Sequence, residues 1–277
     1  MASSVRASSD APGFSHRTGR RKGDERPESR FYDHPMNTLA PTDPGNEDAV
    51  RKWLTEPLPA DPLPALEEWI AEAASKNLQP NPNAMALATV DADGRPSARI
   101  VLCRAIDLDA GYVEFFTNTR SRKGEALAAH PHAALLFHWD DLNRQVRIEG
   151  PIVRTPDARA DEYFATRHPV ARLGAWASEQ SRPIDSRAAL DEKVREAGER
   201  FGLDLDRLAK EGRAMSVDVP RPEHWGGYRV YAERAELWIG RDGRIHDRAL
   251  WTRELTATGD EDIAYRGGAW RAQRLQP

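Results

Sequence analysis

The sequence predicts a mainly β fold with flanking helices, in which an antiparallel sheet curls into a barrel, and three observations predict it. Successive short segments alternate apolar and polar residues with the period of two that a half-buried strand requires. The links between them, DADG, DLDAG and DDLN, are tight-turn sequences and not helical crossovers. No regular strand–helix–strand alternation appears, so a doubly wound nucleotide-binding sheet is not expected.

Taken in order, residues 1–45 are rich in Ser, Pro, Gly, Arg and Asp and poor in large apolar residues, and are expected to form a disordered tail. Its basic residues, Arg6, Arg17, Arg20, Arg21, Lys22, Arg26 and Arg30, read as solvated, and Met36 offers an alternative start. Residues 46–277 are expected to form one domain, since late strands can pair with early ones. After the proline-rich PLPADPLP, Leu66, Trp69, Ile70 and Ala73 share one face of a helix. AMALATV, GRPSARIVLCRAI, GYVEFFTN, HAALLFHW and RQVRIEGPIVR then read as strands, with the helical run GEALAAH among them. Two helical stretches follow, TPDARADEYFATR and SRAALDEKVREAGERF, the second with Leu190, Val194, Ala197 and Phe201 on one face. Strand patterning returns in YRVYAERAELWIG, GRIHDRALW and AWRAQRL, while TATGDEDIAYRGG reads as a loop or hairpin.

Composition excludes several classes of function. A chain of 277 residues with 39 % hydrophobic and 30 % charged residues is ordinary for a soluble globular protein. A formal net charge of -4 gives no argument for nucleic acid or anionic membranes as partners. No apolar run approaches the ~18 residues of a membrane helix, and the N-terminus lacks the apolar centre of a secretory signal. The single cysteine, Cys103, excludes an internal disulfide and fits a reducing, cytoplasmic compartment; within RIVLC it reads as a buried, inert thiol. The histidines show no metal-ligand spacing, so no metal is expected, and neither a nucleophile elbow nor a paired carboxylate stands out.

What remains is a set of residues suited to an anionic, aromatic ligand. Arg120, Arg122 and Lys123 end a strand just before a helix start, where free amides and cations together suit a phosphomonoester. Arg99 and Arg104, five apart in RIVLCR, point to opposite faces of an ideal strand. To serve one site they need a twist, a bulge or a second subunit; otherwise one of them forms a surface ion pair. In GRIHDR, a strand would project Arg244, His246 and Arg248 to one side, an arrangement that repels unless an anion compensates it. Asp247 reads as a neutralising charge. Gln145 lies on the strand face opposite Val146 and Ile148 and can both donate and accept, as a flavin or pyrimidine edge requires. Gln180 and Ser181, at a helix end, could meet the same edge, and Trp238 could shield a ring; individually Trp176, Trp225 and Trp238 read as core.

Together and in order, NAMALATVDADGRPSARIVL, FFTNTRSRK, LLFHWDDLNRQVRIEG, EYFATR, LGAWASEQS, HWGGYRV and ELWIGRDGRIHDR resemble the pyridoxamine/pyridoxine 5'-phosphate oxidase family, over about Asp61 to Pro277. The resemblance implies an FMN-binding split barrel that forms a homodimer with FMN in clefts between the subunits. It implies FMN contacts at Arg99, Ile100, Val101, Leu102, Phe116, Thr117, Arg122, Lys123, Gln145, Gln180, Ser181, Trp238 and Arg248. The substrate positions fall on Arg104, Tyr163, Arg167, Ala171, Arg244 and His246, with Arg244 and His246 against the reacting carbon as the catalytic pair. Tyr163 and Arg167, four apart on a helical stretch, would share a face and grip one phosphate. The implied reaction oxidises pyridoxamine or pyridoxine 5'-phosphate to pyridoxal 5'-phosphate, with O2 reduced to hydrogen peroxide. Two positions depart from the family pattern: Arg104 stands for the usual lysine and Ala171 for the usual serine. The relatives that act in phenazine biosynthesis also have a weakened phosphate pocket and a similar RLQP ending, so a related oxidase of another aromatic substrate is the alternative.

Overall fold

The computed structural model describes residues 53–212, 215, 217–260 and 262–277. The expected tail at residues 1–45 lies outside the described residues. The first helix, α1 (Leu63–Ser75), buries Leu63, Leu66, Trp69, Ile70 and Ala73, the face that its apolar spacing defines. Then come β1 (Ala84–Val90), β2 (Pro96–Leu102), β3 (Ala105–Asp107), β4 (Tyr112–Asn118), α2 (Arg122–Ala129), β5 (His132–Trp139) and β6 (Arg144–Arg154). Four helices follow: α3 (Asp157–Thr166), α4 (Pro169–Ala177), α5 (Arg187–Arg200) and α6 (Leu205–Glu211). The chain returns to β7 (Trp225–Tyr231), β8 (Arg234–Ile239), β9 (Asp247–Thr252), a hairpin of β10 (Leu255–Ala257) and β11 (Tyr265–Gly267), and β12 (Arg271–Leu275).

The main sheet runs β12-β9-β8-β6-β5-β1-β2, with β3, β4 and β7 joined to it through β6, and its neighbouring strands pair antiparallel. Its curl comes from β6, which pairs β8 along Arg144–Glu149 and β7 along Ile152–Arg154. The partner changes around Pro151, a residue with no amide hydrogen to give a ladder. Inside the curl, the apolar face of α1 shares one core with Leu87, Leu135, Phe137, Trp139, Val146, Ile148, Leu237 and Trp251. Each large side chain buried here stabilises the fold by ~1.5–3 kcal/mol. The two fully buried indoles keep their hydrogen bonds: Trp139 donates to the Pro82 carbonyl and Trp251 to that of Pro59, both at 2.8 Å. A smaller core of Leu173, Ala177, Ala197, Leu208 and Val219 joins α4, α5 and α6. No helix among the described residues is long and apolar enough to cross a membrane.

Three strands expected to be continuous are broken. GRPSARIVLCRAI stops at Leu102, because Cys103 turns inward and its backbone pairs with Asn83: the amide donates to the Asn83 carbonyl and Asn83 Nδ2 to the Cys103 carbonyl. Burial pushes the Cys103 thiol well above its usual range, as an inert cysteine requires. YRVYAERAELWIG splits at Ala232–Glu233, so that β7 serves β4 while β8 serves β9. GRIHDR is broken as well. Gly243 and Arg244 both take left-handed φ values, 66° and 61°, in a 3-10 turn at Asp242–Arg244, and β9 begins only at Asp247. Arg244, His246 and Arg248 therefore do not form one strand face.

Candidate functional site

The site residues implied by the sequence fall into three clusters. In the first, β2 supplies Arg99, the end of β4 supplies Phe116 and Thr117, and the start of α2 supplies Arg122 and Lys123. Ser121 caps α2 by accepting from the Gly124 amide, which turns the helix start toward this corner. Lys123 Nζ donates to Thr117 Oγ1 at 3.1 Å, to Ser121 Oγ at 3.0 Å and to Gln180 Oε1 at 2.5 Å. Arg99 donates to the Leu87 carbonyl at 3.1 Å and to Thr89 Oγ1 and Ser97 Oγ at 2.8 Å. Burial first, and then Arg99, push the Lys123 ammonium down to about 8. Burial and then Arg122 lower the Arg99 guanidinium. Among the described residues, no carboxylate pairs with Arg99 or Lys123, whereas Arg122 reaches Asp91 at 3.6 Å. Gln180 and the left-handed Ser181 (φ 75°) follow α4 on an exposed turn. Because β2 is the last strand of its sheet path, Ile100, Val101 and Leu102 carry one ladder and leave the other backbone edge open.

A second cluster sits beside the first on β4. Phe116, Tyr163 and Trp225 lie nearly parallel, with ring centroids 4.3 Å apart for Phe116–Tyr163 and 5.3 Å for Phe116–Trp225. The Arg104 guanidinium is 5.6 Å from the Tyr163 ring, and that of Arg167 is 4.7 Å from Trp225 and 5.4 Å from Phe164. Arg167 Nη1 is buried with no hydrogen-bond partner, and burial lowers the pKa of the guanidinium. No carboxylate among the described residues forms an ion pair with Arg104 or Arg167. The expected shared helix face is corrected in detail. α3 ends at Thr166, and Arg167 is its extended C-cap (φ -66°, ψ 150°) ahead of the His168–Pro169 step. Arg167 and Tyr163 are thus brought together by Trp225 and not by helical spacing. Ala171, half-buried on α4, presents no hydroxyl.

The third cluster is a cross-strand row. Gln145 on β6 faces Trp238 on β8, which faces Arg248 on β9. Arg248 Nε and Nη2 donate to Glu236 Oε1 at 2.9 and 2.8 Å, and Nη1 donates to the Gln276 carbonyl. The His246 ring lies 4.7 Å from that of Trp238, and its Nδ1 accepts from the Arg241 amide at 3.2 Å. Arg244 is exposed on the turn above.

The strand break explains the Arg99 and Arg104 puzzle: Arg99 stays with the first cluster while Arg104 leads into β3 and the second, and the two clusters share β4. The chain does not bring the third cluster to the first. Register runs from Ile100 through Ala86, Leu136, Arg147 and Glu236, which puts Gln145, Trp238 and Arg248 on the Ile100 face of the sheet and Arg99 on the other. Trp225, read from sequence as core, is both buried and the platform for Arg167; the adjoining HWGGYRV was its one signal. Ser121 and Glu236 escaped notice, since a serine in a turn and a glutamate in an alternating strand look like ordinary surface.

Residues 71–201 match the family model for pyridoxamine 5'-phosphate oxidase, and residues 225–277 that for the pyridoxine 5'-phosphate oxidase C-terminal dimerisation region. A pyridoxine/pyridoxamine 5'-phosphate oxidase of Burkholderia multivorans is 48 % identical over 217 residues, 78 % of this chain and 89 % of that protein. The one from Burkholderia vietnamiensis is 49 % identical over 218 residues, with the same coverage of 78 % and 89 %. Among solved structures, PhzG from Burkholderia lata in complex with tetrahydrophenazine-1-carboxylic acid is 27 % identical, with a TM-score of 0.64 over 87 % of this chain and 100 % of that one. A pyridoxamine 5'-phosphate oxidase-related, FMN-binding protein of Nostoc punctiforme shares the fold at 16 % identity, with a TM-score of 0.56 over 79 % of this chain and 99 % of that one. The architecture is that of the FMN-binding split barrel.

Proposed function

Because the chain belongs to the pyridoxamine/pyridoxine 5'-phosphate oxidase family, we propose that it oxidises pyridoxamine or pyridoxine 5'-phosphate to pyridoxal 5'-phosphate with FMN, O2 being reduced to hydrogen peroxide. The observation that carries the substrate reading is Arg167: a guanidinium stacked on Trp225, its Nη1 buried without a partner, beside Arg104 and with no compensating carboxylate among the described residues. A phosphate would satisfy both cations at once.

The first cluster fits a flavin phosphate by the same criterion, since Arg122 disfavours the charge of Arg99, Arg99 disfavours that of Lys123, and no carboxylate among the described residues pairs with Arg99 or Lys123. Arg99, Arg122 and Lys123 would hold that phosphate, with the Ile100–Leu102 edge, Phe116, Thr117, Gln180 and Ser181 around the rest of FMN. Gln145, Trp238 and Arg248 would complete the cleft from a second copy, because their sheet face is turned away from Arg99. Bound there, FMN supplies a two-electron acceptor for hydride from the substrate. The chain's own part is placement. Arg167, Tyr163 and Arg104 fix the substrate phosphate, and Arg244 and His246 orient the reacting carbon. With Nδ1 occupied by the Arg241 amide, His246 would keep Nε2 for the ligand.

A second reading, oxidation of a dihydrophenazine-like aromatic, is favoured by Ala171, which removes a phosphate contact, and by the likeness to PhzG. Steady-state turnover separates the two. The flavin-loaded protein is expected to form pyridoxal 5'-phosphate and peroxide from pyridoxine 5'-phosphate. Arg167→Ala should raise KM and lower kcat, together costing ~10²-fold or more in kcat/KM, because hydride transfer needs near contact. Unchanged kcat and KM in that variant would remove this pocket from the reaction.

A further inference from the structure

We propose that Glu114, outside every ligand contact named above, is the positioning residue that sets α3, and with it Tyr163 and Arg167, over the anion pocket. What fills that pocket rests on the substrate reading; the placement of α3 does not. GYVEFFTN puts one carboxylate in the middle of an otherwise apolar strand, and it is 0 % exposed. A buried carboxylate is retained only if charges and hydrogen bonds compensate it. Glu114 Oε1 accepts from Arg229 Nε at 3.1 Å on β7 and from Thr155 Oγ1 at 3.0 Å, just before α3. Oε2 has no hydrogen bond, and the cation facing it is Arg159 of α3, with Nε at 3.4 Å. The Glu114 carbonyl meanwhile accepts from the Arg104 amide at 2.8 Å. One residue therefore touches the backbone of Arg104, the entry to α3 and α3 itself.

The geometry gives those contacts a purpose. Glu114 and Phe116 are two apart on one strand face, about 7 Å along β4. Arg159 and Tyr163 are four apart on α3, about 6 Å along the helix. The Glu114–Arg159 ion pair and the Phe116–Tyr163 stack are thus successive rungs of one helix-on-strand contact. Two other polar anchors of α3, Asp157 and Asp161 to Arg221, have carboxylates 78 % and 60 % exposed, so solvent and salt screen them. The Glu114 carboxylate, by contrast, is buried.

Glu114→Gln, which keeps shape and removes charge, tests this in the FMN-loaded protein by hydrogen exchange and kinetics. Amides of residues 157–166 should exchange about 10-fold faster while β1 and β5 keep wild-type rates. KM for pyridoxine 5'-phosphate should rise about 10-fold with kcat changed less than about 3-fold, and Glu114→Asp should recover most of it. Arg159→Gln removes the same rung from the helix side and serves if Glu114→Gln does not fold; where both fold, the double variant should be no worse than the poorer single one. Wild-type exchange in α3, a uniform rise across the sheet, or an unchanged KM in a variant with a loosened α3 would overturn the proposal. Faster α3 exchange in a protein whose wild type never turns over pyridoxine 5'-phosphate leaves Glu114's role standing and removes the substrate reading.

Discussion

Lys123 donates to Thr117, Ser121 and Gln180, and burial together with Arg99 places its titration near pH 8. Its folded pKa lies below the ordinary lysine value of 10.5, so between about 8 and 10.5 the unfolded chain binds more protons than the folded one. The FMN-free protein should therefore gain stability as pH rises through that window. Phosphate binding has the opposite sign, since it uses the ammonium. FMN affinity of the apoprotein, read by fluorescence quenching, should be level below pH about 8 and fall above it, by up to ~10-fold per pH unit. Lys123→Gln should bind more weakly and without that slope; a level wild-type curve would contradict the role. The Arg122–Lys123 pair was legible in the sequence because a strand end followed by a helix start is a local pattern. The Phe116–Tyr163–Trp225 platform was not, because its rings come from β4, α3 and β7, and only pairing between distant strands brings them together.

At the scale of elements, alternation located nearly all the strands but could not show where they break. A period of two continues unaltered through Gly243 and Arg244, although two successive left-handed residues end any ladder. The short helix α6 also went unread, since 7 residues give fewer than two turns in which a 3.6-residue period could emerge. The close packing of β7 on β4 yields a further test. A Cβ on Gly227 would fall 2.4 Å from Thr155 Oγ1 and 2.7 Å from the Phe116 ring. Gly227→Ala should cost about 1–3 kcal/mol by overpacking and disturb Phe116 under Tyr163. Gly174, inside α4, meets nothing within 4 Å, so Gly174→Ala should be neutral or stabilising by up to ~1 kcal/mol. Urea unfolding of both variants checks the contrast; equal effects would mean that β7 has room the structure denies it.

For the whole molecule, the decisive feature is that the residues implied for one flavin lie on two faces of one sheet. Arg99 belongs to the inner face, while Gln145, Trp238 and Arg248 share the outer one with Ile100, which is 67 % exposed. A self-complementary pairing of two copies would bury that outer face and complete two equivalent clefts. Strand order was not readable from periodicity, which assigns faces but not neighbours; the resemblance of ordered motifs supplied what local pattern could not. The central claim, that this cleft moves two electrons from a phosphorylated B6 vitamer to FMN, is tested most directly by anaerobic mixing of the flavin-loaded protein with one candidate substrate at a time. Pyridoxine 5'-phosphate should bleach the flavin band within the turnover time and yield one equivalent of pyridoxal 5'-phosphate per flavin. A flavin that stays yellow with both B6 phosphates but bleaches with a dihydrophenazine carboxylic acid would contradict it.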